Sequence, residues 1–275
     1  MSFFSIVAMA NRRYDPAVLV SIHKRARSLL RRYGLVGACA HVIKVIRDNL
    51  SEWQSRRRFD AKQAAFDRKR GIQTLVRIRP EDLNVIGPHR AAAVPYQPIG
   101  EESFGIMFAA LIDLIGPKLP LYSFVDLGCG MGKALLLAAE HPFRQIVGVE
   151  FAPALAAVCE KNLRADRLAA DRRCNAITVV VADAARFSFP DGPLVVFLYN
   201  PFGPQVLAPV LENLRTAVIS RPSATFVAYL NAQHVKLVEE AGFTQVWAEN
   251  EDRIFKFEYP CDRHGTRLGT LGLQR

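Results

Sequence analysis

An aspartate, three alternate glycines and a lysine stand together in FVDLGCGMGKALLLAAEHP, residues 124–142. Asp126 ends one apolar run, and Gly128, Gly130 and Gly132 lead into the next. Glycines in that alternation let backbone N–H groups approach a ligand closely. A nucleoside-triphosphate loop needs GxxxxGK[ST]. Gly132-Lys133 supplies part of it, but Leu127 stands where the first glycine belongs and Ala134 where the magnesium-holding hydroxyl belongs. A dinucleotide fingerprint, GxGxxG, fits Gly128 and Gly130 but puts Lys133 at the third glycine, where strand and helix must pack closely. Three later apolar runs also end in polar groups: Glu150 after IVGV, Asp183 after VVVA, and Asn200 after VVFLY. Glu150 comes twenty residues after Gly130, where a carboxylate can accept both hydroxyls of a ribose. Asp183 alone could equally cap a turn, and Asn200 could cap a helix.

The sequence D-x-G-x-G-x-G at a strand end resembles motif I of the class I, seven-stranded S-adenosylmethionine (SAM) methyltransferases. The resemblance implies SAM as cofactor, held by Asp126, Gly128, Gly130, Gly132, Glu150 at the ribose and Asp183 at the adenine amino group. SAM has no pyrophosphate, and acids near its sulfonium and amino group are favourable. Tyr199 to Gly203, YNPFG, resembles motif IV, [N/D]PP[F/Y], of amino-group methyltransferases, with Phe202 in place of the second proline. That implies Asn200 orienting a target nitrogen, with Tyr199 and Phe202 walling the acceptor. IGEESF, the glycine loop, Glu150 and FGP together resemble the non-SET histone-lysine methyltransferases. In that family the first glutamate of such a segment, here Glu101, helps hold the methionine end of SAM; Glu102 stands where that family has Thr, and Asn200 is one step nearer the FGP. FDRKRGI, RAAAVPYQPIG and YNPFG also resemble bacterial methyltransferases whose acceptors the likeness does not name. The expected activity is methyl transfer from SAM to a nitrogen, in a protein lysine or another amine, with no metal. Two other readings stand beside it: a SAM- or nucleic-acid-binding protein without catalysis, and an NAD-linked oxidoreductase, which Lys133 disfavours.

These residues need a frame that brings strand ends together. From residue 102 short apolar runs alternate with helical ones: strands at 121–127, 145–150, 176–182, 194–199, 224–230 and 244–249, with helices at 133–141, 153–165, 205–219 and 232–241. Near-continuous apolar strands such as ITVVVA require a sheet covered on both faces, and right-handed crossovers make it doubly wound. RIFKFEY alternates with period two, as a half-exposed antiparallel strand does, and follows its predecessor too closely for a crossover. The expected fold is α/β: a doubly wound, seven-stranded, mostly parallel sheet closed by an antiparallel hairpin strand, behind a basic helical N-terminal region. The expected organisation is an extension and connector over 1–90, a methyltransferase domain over 91–260 and a tail over 261–275.

The 275-residue chain has a formal net charge of +10, and its first hundred residues hold 19 Lys or Arg against 7 Asp or Glu. Val18, Ile22, Ala26, Leu29 and Tyr33 mark a first helix that Gly34 can stop. Val36, Cys39, Ile43, Ile46, Leu50 and Trp53 mark a second, whose narrow stripe suits packing on another helix before Arg56-Arg57-Arg58. A helical hairpin with solvated arginines fits; so does a surface for nucleic acid, an acidic protein or anionic lipid. Five cysteines show no CxxC spacing and six histidines no HxxxH pair, so free thiols in a reducing compartment are expected and no metal site is indicated. MSFFSIVAMA lacks a basic region ahead of its apolar stretch, and no apolar run reaches the length of a spanning helix. A cytoplasmic protein without a transmembrane segment is the expectation.

Overall fold

The computed structural model describes residues 16–75, 96–257 and 259. By contacts the chain forms two compact units, Met1–Asp60 and Ala61–Arg275. Helix α1 (Pro16–Arg70) is interrupted at Gly34, whose φ of 65° is a conformation glycine adopts without penalty. It continues well beyond Arg58. Val36, Ile43, Ile46, Leu50 and Trp53 remain exposed, so the expected packing of this stripe on another helix is not found among the described residues.

In the second unit, seven strands form one sheet: β1 (Ser123–Leu127), β2 (Gln145–Glu150), β3 (Ile177–Val181), β4 (Leu194–Tyr199), β5 (Thr225–Leu230), β6 (Phe243–Glu249) and β7 (Asp252–Phe257). Their order is β3-β2-β1-β4-β5-β7-β6. Strands β1 to β5 run parallel to one another, and β7 runs antiparallel between β5 and β6. The terminal hairpin is as expected; its exposure is not. Ile254 and Phe255 are both fully buried, because β7 is an interior strand with core on each face, and the half-exposed strand is β6 at the edge.

One face is covered by α2 (Glu101–Ile115), α3 (Lys133–Ala138) and α4 (Pro153–Ala165). Phe104, Phe108 and Leu111 of α2 pack there with Phe124, Phe197 and Ile254. The other face is covered by α5 (Pro204–Ser220) and α6 (Val235–Glu240), with Val210 and Leu214 packing against Val196 and Val227. Pro153 and Pro204 open their helices at first-turn positions, where no N–H is needed. The apolar segment Glu101–Leu121, of mean hydropathy 1.6, has the length and composition of a spanning helix. Its buried aromatic and aliphatic side chains are committed to this core.

The end of α1 is part of this unit. Arg70 donates to both oxygens of Asp166, at 3.2 and 3.1 Å, and pairs with Glu140; Arg172 also reaches Asp166, at 3.0 Å. Arg70 and Asp166 are buried. Asp67 accepts from the backbone N–H and hydroxyl of Thr74, at 2.6 and 2.7 Å, closing the turn after the helix. Residues 61–75, expected in the extension, therefore pack as part of the sheet-bearing unit.

Candidate active site

Parallel strands β1, β2 and β4 deliver Asp126, Glu150 and Asn200 to one edge of the sheet, because each lies at a strand's C-terminal end. Ligands of open α/β sheets bind at that edge. Here it opens into a cleft at the tips of β1, β2 and β4. Asp126, Gly128, Glu150, Tyr199, Asn200 and Phe202 all line it.

The loop between β1 and α3 docks on β2 through the N–H groups of Gly128 and Cys129, which donate to the Val149 carbonyl at 2.8 and 3.1 Å. Gly130 has φ of 51°, and a Cβ there would come within 2.3 Å of the Tyr96 ring. Only glycine meets both conditions. A Cβ on Gly128 would strike Pro201, so the loop and the end of β4 close together. Gly132 begins α3 behind the cleft, against Cys159.

Glu150 is buried and both its oxygens are engaged: Oε2 accepts from the Gly130 N–H at 2.8 Å and Oε1 from the Ala152 N–H at 2.9 Å. It therefore fixes the glycine loop as well as lining the cleft. Asp126 is buried, lines the cleft and accepts no hydrogen bond among the described residues. Burial, reinforced by the Glu150 charge, pushes its pKa well above the usual range; burial raises that of Glu150 too. A largely buried acid at the cleft wall beside a second acid favours a cation in the cleft.

Lys133, which broke the dinucleotide pattern, is buried at the cleft wall. Its Nζ donates to Gln63 Oε1 and lies 4.1 Å from the centre of the Phe66 ring. Gln63 Nε2 in turn donates to the Ile99 carbonyl at 2.8 Å. Burial lowers the lysine pKa to about 8, opposed by the charges of Glu101 and Asp67. Tyr96 covers Gly130 and donates to the Thr74 carbonyl at 3.1 Å; burial, then the Asp67 charge, raises its pKa.

At the far wall, Asn200 stands at a φ of 40° and its Oδ1 accepts from the Tyr229 hydroxyl at 3.3 Å. Tyr199 and Phe202 flank it; burial, and then the Asp252 charge, raises the Tyr199 pKa. Four expected residues are not among those lining the cleft: Gly130 and Gly132, which shape the loop beside it, and Asp183 and Glu101. Asp183 accepts from the Ala185 N–H at 3.0 Å as the cap of a short turn and is not among the cleft-lining residues. Glu101 is exposed at the start of α2, outside the lining, where its charge reaches Lys133. Sequence reasoning passed over Tyr96, Gln63, Phe151 and Leu155. Phe151 and Leu155 follow the Glu150 strand end directly and line the cleft, so the apolar residues just after that acid were the available signal.

Residues 124–218 match the family model described as a methyltransferase domain. No curated protein matches the chain. Among solved structures it is similar to magnesium protoporphyrin IX methyltransferase from Synechocystis with bound SAM, at 11% identity over 58% of this chain and 85% of that one, with a TM-score of 0.41. It is similar also to the N-methyltransferase NodS from Bradyrhizobium japonicum, at 14% identity over 58% of this chain and 99% of that one, with a TM-score of 0.40. Residues 124–218 thus match a methyltransferase domain, and they lie within the seven-stranded sheet of order β3-β2-β1-β4-β5-β7-β6.

Proposed function

We propose that the cleft binds SAM and transfers its methyl group to a nitrogen acceptor, a protein lysine or another amine. The observation that carries this reading is the convergence of Asp126, Glu150 and Asn200 on one cleft beside the glycine loop. The donor set suits the cofactor. Asp126 faces the cationic portion, Glu150 the ribose, and Phe151 and Leu155 provide apolar walls for a purine. Lys133 is the cation available to a carboxylate, with Gln63 holding its ammonium in place. Bound SAM would supply a methyl group already activated by its positive sulfur.

The chain's own contribution is then positioning and exclusion of water, which can supply about 7–11 kcal/mol in favourable cases. Asn200 is held by Tyr229, and the second lone pair of its Oδ1 can accept an N–H of the acceptor amine. That contact fixes the amine's rotation and directs its lone pair into the cleft. Tyr199 and Phe202 wall the acceptor, and an apolar surround favours the neutral, nucleophilic amine over the ammonium. Incubation with methyl-labelled SAM and a cell extract, followed by fractionation, tests the reading. Label in an acid-stable amine of protein or small molecules is the expected result; label confined to oxygen or carbon would refute the nitrogen assignment.

A further inference from the structure

The limb of α1 after Gly34 carries a feature that methyl transfer does not use. Val36, Ile43, Ile46, Leu50 and Trp53 form one stripe, and each is between 50% and 84% exposed. At about 100° per residue, Arg47 flanks one edge of this stripe, Asn49 and Arg56 flank the other, Arg57 falls within it at its C-terminal end, and Lys44, Asp48 and Glu52 fall towards the opposite side. The Arg57 guanidinium lies 4.7 Å from the centre of the Trp53 ring. Arg47 approaches Asp48 at 3.9 Å and Arg56 approaches Glu52 at 3.5 Å, but all four side chains are more than half exposed. Exposed pairs of that kind restrain little. Residues 16–60 hold ten Lys or Arg and three Asp or Glu.

A nucleic-acid backbone would use the arginines and leave five large apolar side chains in water. A second copy of the chain would bury the stripe. It would also bring Arg47 and Arg56 to the edges of the seam with no acid at either edge to answer them. An anionic lipid surface uses both properties at once. Apolar side chains enter the acyl boundary, tryptophan suits the interface, and arginines at the flanks snorkel to the headgroups while the acids stay in water. We infer that residues 36–57 of α1 form an interfacial helix that lies on anionic lipid, stripe inward.

Sedimentation of the full chain with vesicles tests this, using phosphatidylcholine alone or mixed with phosphatidylglycerol. Binding is expected on the anionic vesicles, weak on the neutral ones, and reduced by salt. In a Trp247→Phe background the Trp53 emission should shift to the blue and be quenched by brominated lipid. Because the stripe is exposed, the double variant Ile46→Asp/Leu50→Asp removes no packing within the unit; it should lower partitioning at least roughly tenfold with unchanged circular dichroism. Arg47→Gln/Arg56→Gln should lower it to a similar extent, roughly tenfold. Equal binding to neutral and anionic vesicles, or full binding by the Asp variant, would overturn the inference. So would a dimer by light scattering that Ile46→Asp dissolves, or nucleic-acid binding that the Asp variant retains without any affinity for vesicles.

Discussion

The proposed reaction assigns Asp126 to the cofactor and Asn200 to the acceptor, and both sit in settings made by their neighbours. Glu150 holds the Gly130 N–H, which keeps the loop in the left-handed turn that leaves room for Tyr96. Gly130→Val should therefore abolish SAM binding in calorimetry, through backbone strain and a collision with that ring together. Undiminished affinity would remove the loop from the cofactor site. Asn200→Ala should lower turnover on the order of 10²-fold with cofactor affinity nearly unchanged, as loss of a transition-state contact does. Tyr229→Phe removes only the donor that steadies Asn200, and should cost about tenfold in kcat. A matching loss of SAM affinity in either variant would move Asn200 out of the acceptor wall. Lys133 gives a pH signature. Its pKa falls from 10.5 to about 8 on folding, so the unfolded chain binds more protons between those values and the lysine's penalty lifts as pH rises through them. The buried Cys129 thiol, its pKa pushed up by the Cys159 contact and by burial, acts in the opposite sense. The stability difference between the native chain and Lys133→Met, followed by urea unfolding, isolates the lysine. It should grow in favour of the native chain from about pH 8 to 10.5; a flat difference would contradict the buried ammonium. Asp126, Glu150 and Asn200 were legible because each ends an apolar run. Asp183 followed the same rule and became a turn cap, since a strand end says nothing about which neighbour claims the side chain.

At the scale of elements, α4 and β4 fall within the expected bounds, because Pro153 marks one start and polar residues bracket the other run. Helix α1 was harder. Its apolar stripe stops at Trp53, yet the helix proceeds to Arg70, where Asp67 caps the following turn through Thr74. Local cues cannot announce a partner 96 residues away, which is the separation of Arg70 from Asp166. Breaking that buried pair with Arg70→Met should destabilise the protein by about 3 kcal/mol, the low end for such a loss, since Arg172 still faces Asp166. Denaturant unfolding measures it, and a change near zero would mean that the pair is solvated in solution. The exposure of β7 differs for a related reason: alternation in its own sequence is real, but as an interior strand it meets core on both faces, through Ile254 on one and Phe255 on the other.

Over the whole molecule, the catalytic unit begins earlier than its glycine loop suggests. Asn162 of α4 donates to the carbonyls of both Met131 and Gln73, at 2.9 Å each, so the cofactor loop and the segment after α1 share one anchor. Gln63 reaches Lys133 and Ile99 from the same segment. A chain trimmed to start at residue 91 would keep every motif that identifies the family and still lose the wall behind its loop. Such a fragment should be recovered aggregated, or soluble with no SAM-dependent rise in Tm, whereas one starting at residue 61 should retain that rise. The knot around Asp166 thus sets the place where the chain can be shortened: a cut upstream of Ala61 spares it, and a cut beyond Arg70 unties the packing behind the cleft.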